Sequence, residues 1–200
     1  MGSIVSIVKS ETPDYGRPWC ANYQRRMADF MRGTTNLDFA CYGLGLIGEF
    51  SEIGPPLFRV TPHRIGEAPI DALNDLLSEI GDSLWYAAAI CNMADISLRD
   101  CYVRSSEWVD LASRFTTIDV FGFGSRAAGN ICELVKKHVA HGKGLRSMEI
   151  EMALGKFLST LRHFAVLGDS SLREVSDLNI SKLTARWPDG FQEGEGKEAA

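Results

Sequence analysis

Apolar residues recur at helical spacing along most of the chain. Tyr23, Met27, Phe30 and Met31 fall on one side of a helix running from Trp19 to about Arg32. The stretch "GTTN" breaks it, and Thr35 with Asp38 three residues later supplies a helix-start signal. Leu37, Ala40, Cys41, Leu44 and Ile47 then follow helical spacing and predict a helix to about Ile53. Residues 54–69 carry four prolines and two glycines, which reads as a connecting loop that "GPP" opens by stopping the helix. From Ile70 the pattern resumes with Leu73, Leu76, Leu77, Ile80, Leu84, Ala87, Ala88 and Cys91, predicting a helix to about Met93. A shorter helix fits 107–115. Residues 118–125, "IDVFGFGS", fit a short strand or an ordered loop, with the loop preferred. Helices follow over about 125–140, 147–167 and 171–186. The last opens on a capping box, Ser171 with Glu174, and "RWPDGF" ends it. Residues 1–18 read as an irregular arm and 192–200 as a frayed tail. The expected fold class is all-α.

The chain also repeats itself. Residues 79–100, "EIGDSLWYAAAICNMADISLRD", superpose without a gap on 153–174, "ALGKFLSTLRHFAVLGDSSLRE". Gly, Leu, Asp, Ser, Leu and Arg coincide, and an acid follows in both copies. Where the first copy has Glu79 and Asp82, the second has Ala153 and Lys156. One domain of 200 residues is thus divided into an arm and helix (1–36), a first unit (37–100), a connector (101–125), a second unit (126–191) and the tail (192–200).

Composition narrows the function. At 45% hydrophobic the chain can bury a sizeable core. A net charge of −5 argues against nonspecific nucleic-acid binding, which depends on neutralising phosphates. No apolar run approaches the roughly 20 residues of a membrane span, and the first ten residues do not form a secretory signal. A cytoplasmic protein is expected. The five cysteines lack a C-x-x-C pair and read as free thiols, mostly buried.

Candidate chemistry lies in the apolar segments themselves. "LIGEFSEIG" holds Glu49 and Glu52, and "LLSEIGDSLWYAAAI" holds Glu79 and Asp82. Residues i and i+3 lie about 60° apart on one helix face, so each pair forms a short acidic stripe. Either stripe alone reads as a solvated face. Together, with Gly43, Gly45, Gly48 and Gly81 allowing close helix approach, they can converge in a crevice. Unpaired charges there would cost on the order of several kcal/mol each. A hard divalent cation removes that cost, because Mg²⁺ takes carboxylate, water and phosphate oxygens.

At these residues the chain resembles a known family. "GLIGEFSE…EIGDSLWY" is similar to the paired E-x-x-E and E-x-x-D of the MazG-like, all-α nucleoside triphosphate pyrophosphohydrolases. "NISKLTARWPDGF" (179–191) resembles that family's closing N-x-x-K-L-x-x-R-x-P-x-G-F, and "ELVKKHVAHGK" (133–143) the stretch after its first acidic motif. The likeness spans 37–191, with a gap at 100–125. The second unit departs from it, having Ala127 and Asn130 where E-x-x-E aligns, and Ala153 with Lys156 for E-x-x-D. The pattern looks like a fused pair of helical hairpins, pseudo-twofold related, in which one metal site was lost.

The resemblance implies Mg²⁺-dependent hydrolysis of a nucleoside triphosphate to monophosphate and pyrophosphate, with Mn²⁺ as a possible substitute. It implies Glu49, Glu52, Glu79 and Asp82 as metal ligands and catalytic residues. Asn179, Lys182 and Arg186, at i, i+3 and i+7, would meet phosphates, with Lys136 and Lys137 as further candidates. A homodimer of such chains is compatible with this reading. The competing readings are a catalytically silent helical protein that binds a nucleotide or partner, and the same fold acting on dUTP, dCTP or phosphoribosyl-ATP. Trp85 and Tyr86 read as core aromatics before base-stacking ones, His63 and Arg64 as loop polarity, and His163 as a partly buried histidine.

Overall fold

The structure, a computed structural model, describes residues 18–112 and 114–191, so most of the arm and the whole tail expected above lie outside the described residues. Every regular element in them is helical. In chain order these are α1 (Pro18–Met27), a 3-10 turn (Ala28–Phe30), α2 (Asn36–Glu52), α3 (Gly54–Val60), α4 (Ile70–Ala94), α5 (Leu98–Ala112), α6 (Thr117–Val139), α7 (Ser147–Leu167) and α8 (Leu172–Arg186). No helix of the described residues is long and apolar enough to cross a membrane.

Three helices open on the same device. Thr35 with Asp38 caps α2, Thr116 with Asp119 caps α6, and Ser171 with Glu174 caps α8. In each the hydroxyl accepts from the third backbone N–H and the carboxylate accepts from the cap's own N–H, so two otherwise unpaired donors are satisfied. The endings of α4 and α7 also match. Asp95 (φ 52°) and Asp169 (φ 56°) turn the chain in the left-handed region, and they occupy equivalent positions of the sequence repeat. The helices that follow both begin on a leucine, Leu98 and Leu172, again equivalent.

Packing follows the same plan. α2 lies between α4 and α6, and α6 rests on α7. α5 packs on α7 while α8 packs on α4, and α1 touches α4, α5 and α8. A single buried cluster runs through all of them, from Cys20 and Tyr23 to Leu183. At its centre the Phe50 ring meets Phe121 (5.1 Å between centroids), Phe157 (5.3 Å) and Phe164 (6.3 Å). None of the five cysteines is in a disulfide, and Cys20, Cys91 and Cys101 are buried.

Several expectations need correction. Residues 54–69 are not all loop: α3 occupies Gly54–Val60, with its prolines in the first turn. A first-turn proline gives up an N–H that has no helical partner anyway, so "GPP" bends the chain and starts a new helix. Residues 118–125 are not a loop but the first two turns of α6, held by the Thr116 cap. The connector 101–125 is therefore largely helical, within α5 and the start of α6. The apolar series that marks α2 also faces the wrong way for a core stripe. Leu37 is 73% exposed and Leu44 65%, while Phe39, Tyr42, Leu46 and Phe50 on the other side are buried.

The glycines of α2 serve different purposes. A Cβ on Gly45 would lie 2.2 Å from the Tyr86 ring, so this residue sets how closely α4 approaches. Gly43 faces Val135 of α6 instead, and a Cβ on Gly48 would meet nothing within 4 Å. Gly48 therefore allows no close helix approach, contrary to expectation.

Candidate functional site

Two helices bring the acids together. α2 carries Glu49 and Glu52 one turn apart at its C-terminal end, and α4 carries Glu79 and Asp82 near its middle. The aromatic wedge of Tyr42, Trp85 and Tyr86 fixes the spacing between the helices, with Trp85 edge-on to Tyr42 at 5.8 Å and to Tyr86 at 4.6 Å. Trp85 and Tyr86 thus take part in helix packing. One oxygen each from Glu49, Glu79 and Asp82 lies within 4.8 Å of the other two, and all three side chains are half-buried. Glu52 is exposed and stands outside this cluster.

The C-terminal helix closes the site. Asn179 of α8 is only 3% exposed and donates from Nδ2 to Asp82 Oδ1 at 3.1 Å. Its Oδ1 accepts from the Tyr23 hydroxyl at 2.7 Å. Burial, reinforced by the charge of Asp82, holds the Tyr23 phenol well above its ordinary range, so it stays a neutral donor. Lys182 Nζ pairs with Asp82 Oδ2 and also donates to Ser78 Oγ at 3.0 Å. Gly81 makes room for this contact: a Cβ there would sit 3.2 Å from the Asn179 side chain. Asp82 is the hub of the arrangement.

Burial and neighbouring negative charge raise the pKa of the two half-buried glutamates. Glu49 is pushed up to about 7, first by burial and then by Asp82, Glu52 and Glu79, with Lys182 opposing. Glu79 is raised by burial and by Asp82. Among the described residues neither glutamate forms an ion pair; Lys182 pairs with Asp82 and only partly offsets their charge. Three carboxylate oxygens converge here, two of them on glutamates whose ionised form is disfavoured, and together they form a donor set suited to a hard divalent cation.

The pH dependence has a definite sign. Below the ordinary glutamate value of 4.5, Glu49 is protonated folded or unfolded and costs nothing. Between 4.5 and about 7 the unfolded chain releases its proton first, so stability falls as pH rises; above that window the loss is complete. Urea midpoints of the metal-free protein should therefore drop across pH 4.5–7 more steeply than those of Glu49→Gln, and saturating Mg²⁺ should remove the difference. Parallel profiles for the two proteins in chelator would show that Glu49 is not repelled in this way.

The remaining candidates fall elsewhere. Arg186 lies over the Trp187 ring, 4.6 Å from its centroid. Lys136 and Lys137 both pair with Glu133 on their own helix, and no ion pair links them to the acids among the described residues. His63 and Arg64 follow α3 in the chain segment leading to α4. His163 is half-buried on α7, and burial lowers its pKa. Two participants carry no strong sequence signal. Ser78 is one turn before Asp82 on the same helix face, a spacing that could have identified it. Tyr23 is brought in by tertiary packing alone.

The equivalent positions of the second unit are built differently. Lys156 occupies the place of Asp82, and its Nζ lies over the Trp108 ring, 4.7 Å from the centroid, where the first unit has Lys182. Arg104 packs across Gly155, its Cβ 3.3 Å and its Cγ 3.2 Å from where a glycine Cβ would stand. Among the described residues no second acidic cluster exists. Size is no guide to the chemistry here. A cavity of about 240 Å³ between α1 and α8, lined by Trp19, Asn22, Tyr23 and Arg173, holds none of the clustered acids.

Comparison with known proteins adds one short match. Over 55 residues, 28% of this chain, the sequence is 33% identical to the Gene 37 protein of Mycobacterium phage L5. The chain spans about half the length (48%) of that curated relative. No family model matches the chain, and no solved structure matches it.

Proposed function

We propose that the chain is a Mg²⁺-dependent nucleoside triphosphate pyrophosphohydrolase, built as an internal pair of MazG-like helical units with one acidic centre. The observation that carries this reading is the meeting of the closing segment with the second acidic pair: Asn179 and Lys182 both bond Asp82. Two motifs that are remote in sequence thus come into contact, which fits a shared substrate. The packing supports the internal pair, because exchanging α2, α4 and α5 with α6, α7 and α8 maps the contacts among these six helices onto one another. The matching turns at Asp95 and Asp169 support it independently.

Each group then has a task. Glu49, Glu79 and Asp82 would hold the cation, which would supply positive charge for phosphate oxygens and acidify a bound water. Lys182, partly exposed at the rim, turns from Asp82 toward the phosphate chain. Asn179 and Tyr23 hold the Asp82 carboxylate in one orientation. Glu52, outside the cluster and one turn from Glu49, would orient the attacking water and take its proton. Water cleaves the α–β phosphoanhydride, leaving monophosphate and pyrophosphate.

The deciding experiment measures pyrophosphate release across ribo- and deoxynucleoside triphosphates, with and without Mg²⁺. Release that depends on Mg²⁺ and falls when Mg²⁺ is chelated is the expected result. Absence of turnover for every nucleotide would overturn the reading in favour of a silent binding protein.

A further inference from the structure

The acids and Lys182 account for a triphosphate and leave the rest of a nucleotide without contacts. Beside them a shallow groove of about 190 Å³ opens between α4 and α8. From α4 it is lined by Asn74, Leu77, Ser78 and Gly81, an i, i+3, i+4, i+7 face; Leu178 closes it from α8. The groove is continuous with the acidic centre, because Lys182 Nζ lies between them and touches both Ser78 and Asp82. A molecule with its phosphates at the acids therefore runs directly into it.

The lining suits a flat, partly polar ring. Leu178 is 54% exposed, a large apolar side chain that gains from being covered. Asn74 is exposed, and its side chain has no hydrogen-bond partner among the described residues. A carboxamide offers a donor and an acceptor side by side, the pairing that recognises the edge of a nucleobase. The volume is below the roughly 300–1,000 Å³ of a pocket that encloses a whole small molecule, so the groove takes one moiety while the phosphates stay outside it.

We infer that this groove is the nucleoside subsite, with Leu77 and Leu178 against the face of the base and Asn74 reading its edge. The inference rests on the function proposed above. It is tested in the full chain with Asn74→Leu and Leu178→Trp, by kcat/KM over the nucleotide panel and by competition with inorganic tripolyphosphate, which has phosphates but no nucleoside. Asn74→Leu should change the ratio between the best and second-best nucleotide by about tenfold, the scale of one lost hydrogen bond. Leu178→Trp should raise KM for every nucleotide, and tripolyphosphate should inhibit both variants as it inhibits the parent. Unchanged ratios and an unchanged KM overturn the subsite, as does an equal loss of tripolyphosphate inhibition. If the parent turns over no nucleotide, the hydrolase reading fails by itself. Calorimetric binding of the same nucleotides and tripolyphosphate then decides the groove: discrimination lost in Asn74→Leu supports it, and nucleotide binding no tighter than tripolyphosphate overturns it.

Discussion

Asp82→Ala is expected to abolish Mg²⁺-dependent pyrophosphate release while leaving the fold intact. The carboxylate is the hub that Asn179, Lys182 and the two glutamates share, so its removal breaks the cation site and releases Lys182 together. Loss of the several kcal/mol that a bound cation supplies to the transition state corresponds to at least on the order of 10³-fold in rate. Stability should move little or rise in the metal-free protein, because Asp82 raises the pKa of both Glu49 and Glu79 and its removal relieves that repulsion. Asn179 keeps its bond from Tyr23, and Lys182 keeps Ser78. Kinetics, Mg²⁺ calorimetry and thermal melts on one preparation check the three parts. Full activity in Asp82→Ala with saturating Mg²⁺ would falsify the cation site. Lys182→Ala is the informative contrast, since it should weaken turnover while Mg²⁺ affinity stays near the parent's.

The largest effect on stability is expected at Phe50. Its ring is 2% exposed and lies at the junction of α2, α6 and α7 against three other phenylalanines. Truncation to Ala should cost about 3–5 kcal/mol, the range for a buried aromatic whose cavity cannot collapse. Rigid helices surround this one on several sides, which argues for the upper part of that range. Chemical denaturation at neutral pH gives the value directly. A cost below about 1.5 kcal/mol would mean that the surrounding helices close into the space. Because Glu49 is the adjacent residue, activity should fall with the fold at temperatures where the parent is still active.

Much of the helical order was legible in local pattern. The spacing of Leu73 to Cys91 and the Ser171–Glu174 signal each fix an element by interactions within a turn or two, and both are present as expected. The misreadings have local causes too. Two adjacent prolines look like a loop unless they fall in a first turn, as they do in α3. Two glycines in "FGFGS" hid the opening of α6, where the Thr116 cap and the packing of Gly124 against Phe50 outweigh their poor propensity. α2 is apolar on both sides, so its periodicity located the helix but could not choose which side is buried. The meeting of acids and closing helix was of another kind. No periodicity connects Asp82 to Asn179 or Lys182, and the expectation came from resemblance alone. The departure of Glu52 from the cluster and the entry of Tyr23 depend on how helices cross, which a linear pattern does not encode.

The separation within that pair has a consequence for the chain as it is made. Lys182 follows Asp82 by 100 positions and Asn179 follows it by 97. At about 5–20 residues per second, the acids leave the ribosome on the order of 5–20 seconds before the lysine does. For that interval the acids of α2 and α4 lack the Lys182 charge that pairs with Asp82 in the finished protein. The nascent protein therefore cannot assemble its centre early. A synthesis interrupted before α8 yields a fragment that bears every acid and lacks the helix that organises them.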